Sequence, residues 1–128
     1  MKNVILVFIL LSCFNLFSQA TADELTSNGY IKMKQENYRE AIADFNKAIK
    51  LNPKSINAHY GRGYSKAELS DHRGAIKDFT KTVELNPKDI DAYFHRASSK
   101  YKLEDHRGAI KDFSKVIDLD PDYAAAYS

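Results

Sequence analysis

Apolar residues recur at helical spacing in three stretches of this chain. In the first, Ala41, Ile42, Phe45, Ala48, Ile49 and Leu51 follow the i, i+3, i+4, i+7 pattern of one helix face. Ala75, Ile76, Phe79, Val83 and Leu85 repeat it, as do Ala109, Ile110, Phe113, Val116, Ile117 and Leu119. Each stretch stops near a proline, Pro53, Pro87 or Pro121, whose ring and missing N–H end a helix. The segment ahead of each stretch, for example Ala22 to Gln35, is helical in composition as well. Asn37, Ser70-Asp71 and Asp105 mark the short turns between, where Ser or Asp can cap the next helix by accepting from its orphan N–H groups. The pattern predicts six helices, at roughly 23–35, 39–51, 57–69, 73–85, 91–103 and 107–119.

The stretches are copies of one another. Asn52-Pro53, Asn86-Pro87 and Asp120-Pro121 recur every 34 residues, and the string from Asp71 to Phe79 returns unchanged as Asp105 to Phe113. A fixed period of this size marks a stacked-repeat architecture, in which each copy completes its core on the next. Aligned on the prolines, the units are 22–55, 56–89 and 90–123, and Ala124 to Ser128 open a fourth.

Within a unit the eighth, twentieth, twenty-fourth, twenty-seventh and thirty-second positions are Gly29, Ala41, Phe45, Ala48 and Pro53. Gly63, Ala75, Phe79, Thr82 and Pro87 follow in the second unit, and Ala97, Ala109, Phe113, Val116 and Pro121 in the third. Small residues let two helix backbones approach, and the phenylalanine fills the space beside them. Over residues 22 to 128 the pattern resembles the tetratricopeptide repeat. The resemblance implies an all-α fold, an α-solenoid of three helix–turn–helix repeats wound into a right-handed superhelix.

Two positions depart from that family's pattern. Large apolar residues early in the first helix are replaced by Asn28, Arg62 and Arg96 at the seventh position and by Lys32, Lys66 and Lys100 at the eleventh. Asp44, Asp78 and Asp112 share one phase in the second helices, and only the first unit lacks the arginine. This offset predicts pairing across the unit boundary, Arg62 with Asp44 and Arg96 with Asp78, against the alternative of solvated charges.

The first twenty residues are a separate object. Val4 to Phe17 is an apolar run of 14 residues broken only by Ser12, Cys13 and Asn15, behind Lys2 and ahead of Ser18, Gln19 and Ala20. It reads as a secretory signal peptide cleaved after Ala20, shorter than the roughly 20 apolar residues of a membrane-spanning helix. Leu10-Leu11-Ser12-Cys13 resembles a bacterial lipobox, which would anchor the protein through acylated Cys13. Phe14-Asn15-Leu16-Phe17 argues against it, because a lipoprotein turns polar after its cysteine. The remaining reading is a short buried N-terminal helix. Export points to the periplasm or cell envelope.

Composition adds exclusions. The charges, 19 Lys and Arg against 17 Asp and Glu, are interleaved with no basic block, unlike a nucleic-acid binder. Without residues 1–20 the chain has no Cys and a net charge of +1, so neither disulfides nor thiol chemistry is available. His72 and His106 occupy one position in successive units, too far apart to share a metal, and His59 and His95 have no partner at ligand spacing. Phosphate loop, nucleophile elbow and HExxH strings are absent, and Asp89 and Asp91 read as solvated turn residues. The chain is read as no enzyme, with no catalytic residue, cofactor or metal.

The resemblance does imply a binding face. In this family the first helices line a concave groove for a peptide. That places Tyr30, Met33 and Lys34 of the first unit, Asn57, Tyr60 and Tyr64 of the second, and Asp91, Phe94, Tyr101 and Lys102 of the third in the site. Tyrosines offer large apolar area with a polar tip at low entropic cost, although Tyr60, Phe94 and Tyr101 could equally pack between repeats. A subset of the family clamps the C-terminal carboxylate of heat-shock chaperones. Here Thr26, Tyr30, Gly61, Asp91 and His95 stand at the clamp positions and the clamp is absent. The expected role is a non-catalytic scaffold or adaptor holding a protein or peptide, with no nucleic acid. The alternative is a substrate-positioning N-terminal arm of a longer envelope enzyme or transport protein. Exposed Ile110, Phe113 and Ile117 would also permit end-to-end self-association.

Overall fold

The computed structural model describes residues 2–123, so the expected opening of a fourth unit at 124–128 lies outside the described residues. The chain folds as six helices, α1 (Lys2–Lys34), α2 (Tyr38–Leu51), α3 (Ile56–Glu68), α4 (His72–Leu85), α5 (Ile90–Lys102) and α6 (His106–Leu119). The five later helices match the sequence pattern to within a residue or two at each end. Their starts are set chemically. Ser55, Asp71, Asp89 and Asp105 accept from the backbone N–H of Ala58, Gly74, Ala92 and Gly108 at 3.3, 2.9, 3.0 and 3.0 Å. Asn37 stands at the same place before α2 but makes no side-chain cap. Each first helix ends in a left-handed residue, Glu36, Ser70 or Glu104, and the chain closes there with an N–H of Asn37, Asp71 or Asp105 bonded to Lys32, Lys66 or Lys100.

The helices pack as pairs, α1 with α2, α3 with α4 and α5 with α6, and each second helix also packs on the next first helix. Phe45, Ala41 and Ala48 of α2 share one fully buried cluster with Ala58 of α3, and Ala75, Phe79 and Val83 of α4 share another with Ala92 of α5. Each core therefore straddles a unit boundary. Phe45 is the tightest point. Cβ atoms added to Gly29 of α1 or Gly61 of α3 would run into its ring, at 2.6 Å for Gly29 and closer for Gly61, so both helices must be bare there.

The charge pairing differs from the expected register. Arg62 grips Asp78 of its own unit with two bonds, at 2.9 and 2.6 Å, and Arg96 grips Asp112 at 2.8 and 2.7 Å. Lys66 and Lys100 complete the sites at 3.0 and 2.9 Å. Asp44, whose unit has Asn28 in place of the seventh-position arginine, pairs with Lys32 at 2.6 Å. The antiparallel hairpin sets this register, because it brings the seventh and eleventh positions of a first helix beside the same unit's aspartate. The contact across the boundary is made by the third arm of the guanidinium: Arg62 Nη1 donates to Asn46 and Arg96 Nη1 to Thr80, at 2.9 and 3.2 Å. Burial pushes the Asp78 carboxyl up, but His59, Arg62 and Lys66 outweigh it and hold it at about 2.

The N-terminal segment also departs from expectation, since α1 is one continuous helix of 33 residues. Ser12 and Thr21 do not interrupt it because their hydroxyls donate to the carbonyls of Ile9 and Phe17. The helix is long and apolar enough to cross a membrane by length and composition, a property that export signals near an N-terminus share. Residues 2–17 are exposed throughout, so they are no buried helix, and the first buried residue is Ala22. On α6, Ile110 and Ile117 are 66% and 48% exposed, where Val83, the counterpart of Ile117 in α4, is buried.

Asp78→Ala strands Arg62 and Lys66 and costs about 3 kcal/mol in chemical denaturation. A double-mutant cycle returns coupling between Arg62 and Asp78 and additivity between Arg62 and Asp44. Because folding lowers the Asp78 carboxyl from 3.8 to about 2, it adds stability above pH 4 that disappears as the pH falls toward 2; Asp78→Asn flattens that acid limb. Separately, Gly61→Ala forces a methyl group against Phe45 and lowers stability by about 1–3 kcal/mol, a loss that Phe45→Leu in the same chain partly restores.

Candidate functional site

The first helices touch each other, α1 to α3 and α3 to α5, whereas α2, α4 and α6 make no such contacts among the described residues. A row that closes on one side and splays on the other curves toward the closed side. The first helices are therefore the inner row, and because each is followed by an antiparallel return they all run in the same direction.

Across that row the side chains form a chain of aromatic contacts. Tyr30 packs edge-on to Phe45 at 5.3 Å and its hydroxyl donates to the Asn57 carbonyl of α3 at 2.9 Å. Tyr60 meets Phe79 at 5.7 Å, and both Tyr60 and Tyr64 lean on His95 of α5, at 5.9 and 5.3 Å. His95 occupies the position that Gly61 holds one unit earlier. With an imidazole there the next phenylalanine shifts its role: Phe79 stacks on the ring at 5.8 Å and 23° instead of pressing on bare backbone. Burial lowers the His95 pKa, against the opposing charges of Asp91, Glu68 and Asp89.

Of the ten expected site residues, the structure gathers Tyr30, Asn57, Tyr60 and Asp91 around one recess of about 220 Å³, completed by Asp89. Lys102 lines a second recess of about 200 Å³ with Ala67, Glu68, His72, His95, Ser98 and Ser99, nearer the ends of α3 and α5. Met33 is half-buried on the Phe45 cluster, and Tyr60 and Tyr64 on the Phe79 cluster, so these three serve the core as well as the surface. Phe94 packs between Phe113 and Tyr123 at 5.7 Å each. Tyr101 stands apart, 59% exposed, its ring on His106 at 5.3 Å. Lys34 is exposed in the last turn of α1.

Asp89, read from sequence as a solvated turn residue, both caps α5 and lines the first recess. His95 was readable only as a possible packing histidine, and its position opposite Phe79 became visible once Gly61 and His95 were set in the same phase. His59 does have a carboxylate nearby, Asp78 at 3.9 Å, while its Nε2 lies 2.8 Å from the Pro53 carbonyl. Among the described residues no group of three or more His, Cys, Asp or Glu gathers as a metal site.

Comparison with known proteins agrees with this architecture. One family profile, TPR repeat, matches residues 29–70, and another, tetratricopeptide repeat, matches residues 90–123. The chain contains tetratricopeptide repeats. It is similar to the first TPR domain of Spaghetti (RPAP3) bound to the HSP90 peptide SRMEEVD, with 27% identity and a TM-score of 0.78 over 80% of this chain and 82% of that one. The Arabidopsis OM64 TPR domain shares the fold at 24% identity and a TM-score of 0.79, covering 81% of this chain and 86% of that domain. YrrB, described as a TPR protein with an unusual peptide-binding site, shares it at 23% identity and 0.78, the match spanning 84% of this chain and 55% of YrrB. No curated protein matches the chain.

The two kinds of tetratricopeptide tyrosine separate by mutation. Tyr60→Ala opens the Phe79–His95 cluster and costs about 2 kcal/mol or more of stability, whereas Tyr101→Ala changes it by less than about 0.5 kcal/mol, both read from denaturant midpoints.

Proposed function

We propose that this protein is a non-catalytic adaptor that holds a peptide or protein segment on its inner face, and that residues 1–20 direct its export. The observation that carries the first part is the inner row of α1, α3 and α5, whose open side presents half-buried tyrosines, the exposed Tyr101 and two recesses separated by the Tyr60–Tyr64–His95 cluster. Such a surface combines apolar area with polar tips already held in place, which lowers the entropic cost of capture. Peptide binding by the RPAP3 domain, at 27% identity, supports the same use of the fold.

The ligand of that relative is an acidic peptide, and the inner face here is not equipped for one. Thr26, Tyr30, Gly61, Asp91 and His95 stand where the carboxylate clamp has its lysines, arginine and asparagines, and Asp91 places a negative charge there instead. Support for export comes from Val4 to Phe17, whose large apolar side chains are 52–73% exposed and cover no part of the repeats. Full burial begins at Ala22, so cleavage after Ala20 spares the buried face of α1 and removes polar contacts of Ser18 and Gln19 with the end of α2. The setting that follows is the periplasm or cell envelope.

The test is a pull-down from the envelope fraction of the source cells with the full chain and with a Tyr64→Ala, Tyr101→Ala variant of verified helicity. A partner held by the first and at least tenfold depleted with the second supports the groove. Equal recovery by both overturns it.

A further inference from the structure

Two groups of aspartates in this protein contrast. Asp44, Asp78 and Asp112, inside the hairpins, are each neutralised by lysine or arginine within 3.0 Å. Asp89 and Asp91, at the start of α5, form no ion pair among the described residues. Their hydrogen-bond partners are neutral: the Ala92 N–H donates to Asp89 and the Tyr123 hydroxyl to Asp91, at 3.0 and 2.9 Å. Both carboxylates line the recess of about 220 Å³ whose other walls are Tyr30, Asn57 and Tyr60. The groove lysines lie elsewhere, Lys34 and Lys102 in the last turns of α1 and α5. Since the first helices run in parallel, Asp89 and Asp91 stand with the Tyr30 and Tyr60 rings toward one edge of the groove, and Lys34 and Lys102 stand toward the other.

We propose that this recess seats a lysine or arginine side chain of the bound peptide, held by the Asp89 and Asp91 carboxylates and flanked by the Tyr30 and Tyr60 rings. The proposal rests on the groove reading above and names the chemistry of its partner. A cation leaving water loses hydration, and here two carboxylates and two phenol rings replace it. Asn57, which also lines the recess, carries a side-chain amide oxygen, an acceptor without charge. The phenols report the same field: burial, with Asp89 beside it, pushes Tyr30 up to about 12, and burial with Asp91 raises Tyr60 as well. The preference is local. The chain as a whole carries a net charge of +2, so its overall field repels cationic peptides.

The test uses the full chain in a neutral detergent and an array of random dodecapeptides, scored for the residues enriched among bound peptides. The comparison is Asp89→Asn with Asp91→Asn, in which asparagine keeps the helix cap and the acceptor oxygens while removing both charges. The expected result is about fivefold enrichment of Lys or Arg over Asp or Glu by the wild type, lost in the variant while total peptide capture persists. SRMEEVD, the acidic peptide, serves as the weak-binding reference. Capture without cation enrichment, or enrichment that survives in the variant, overturns the proposal and leaves the groove reading standing. Failure of the wild type to capture any peptide overturns both. The relative enrichment of lysine and arginine identifies which of the two the recess holds.

Discussion

Everything in this fold depends on the ring of Phe45 finding bare backbone on both sides. Gly29 comes from its own unit and Gly61 from the next, and neither position has room for a methyl group. One side chain therefore fixes both the hairpin crossing and the step between units. Burial of a phenylalanine at a boundary also explains why such units need neighbours, since half of the slot belongs to the next copy. Phe79 performs the same task with different chemistry. Gly63 of its own unit leaves 3.1 Å, and the second wall is the His95 ring.

The charge network builds on that geometry. Once the hairpin places Arg62 and Lys66 around Asp78, and Arg96 and Lys100 around Asp112, the interior carboxylates are held ionised and neutralised within their own unit. The guanidiniums then have one arm to spare, and it reaches back to Asn46 or Thr80. Boundaries are thus sealed by guanidinium hydrogen bonds to neutral acceptors and by apolar burial.

The period, the helix positions and the shared cores were legible in the sequence because they depend on spacing along one chain. The pairing register was not. Arg62 is in phase with Asp44 and with Asp78 alike, and only the antiparallel turn through Ser70, with its left-handed backbone, decides between them. Of the residues that line the first recess, Tyr30 and Tyr60 lie on helix interiors, where the repeat resemblance assigns each a position. Asp89 was hidden because it lies in a connection, where composition suggests solvation and periodicity is silent. The continuity of α1 past residue 20 was hidden for a related reason: its composition changes sharply there, but hydroxyl groups bonded to the preceding turn let the helix ignore the change.

These strands meet at the start of α5. Asp89 is needed there as a helix cap, a role that asparagine or serine would fill equally well, as Ser55 does for α3. Capping therefore explains a polar oxygen but not a charge. Asp91 one turn position later sits in the acidic first turn, where the helix dipole welcomes it, yet α3 carries Asn57 at the same phase and is none the less regular. Neither carboxylate is required by the helix it opens. What distinguishes them is charge: Asn57 lines the same recess without one, whereas Asp89 and Asp91 bring two carboxylates to it beside Tyr30 and Tyr60.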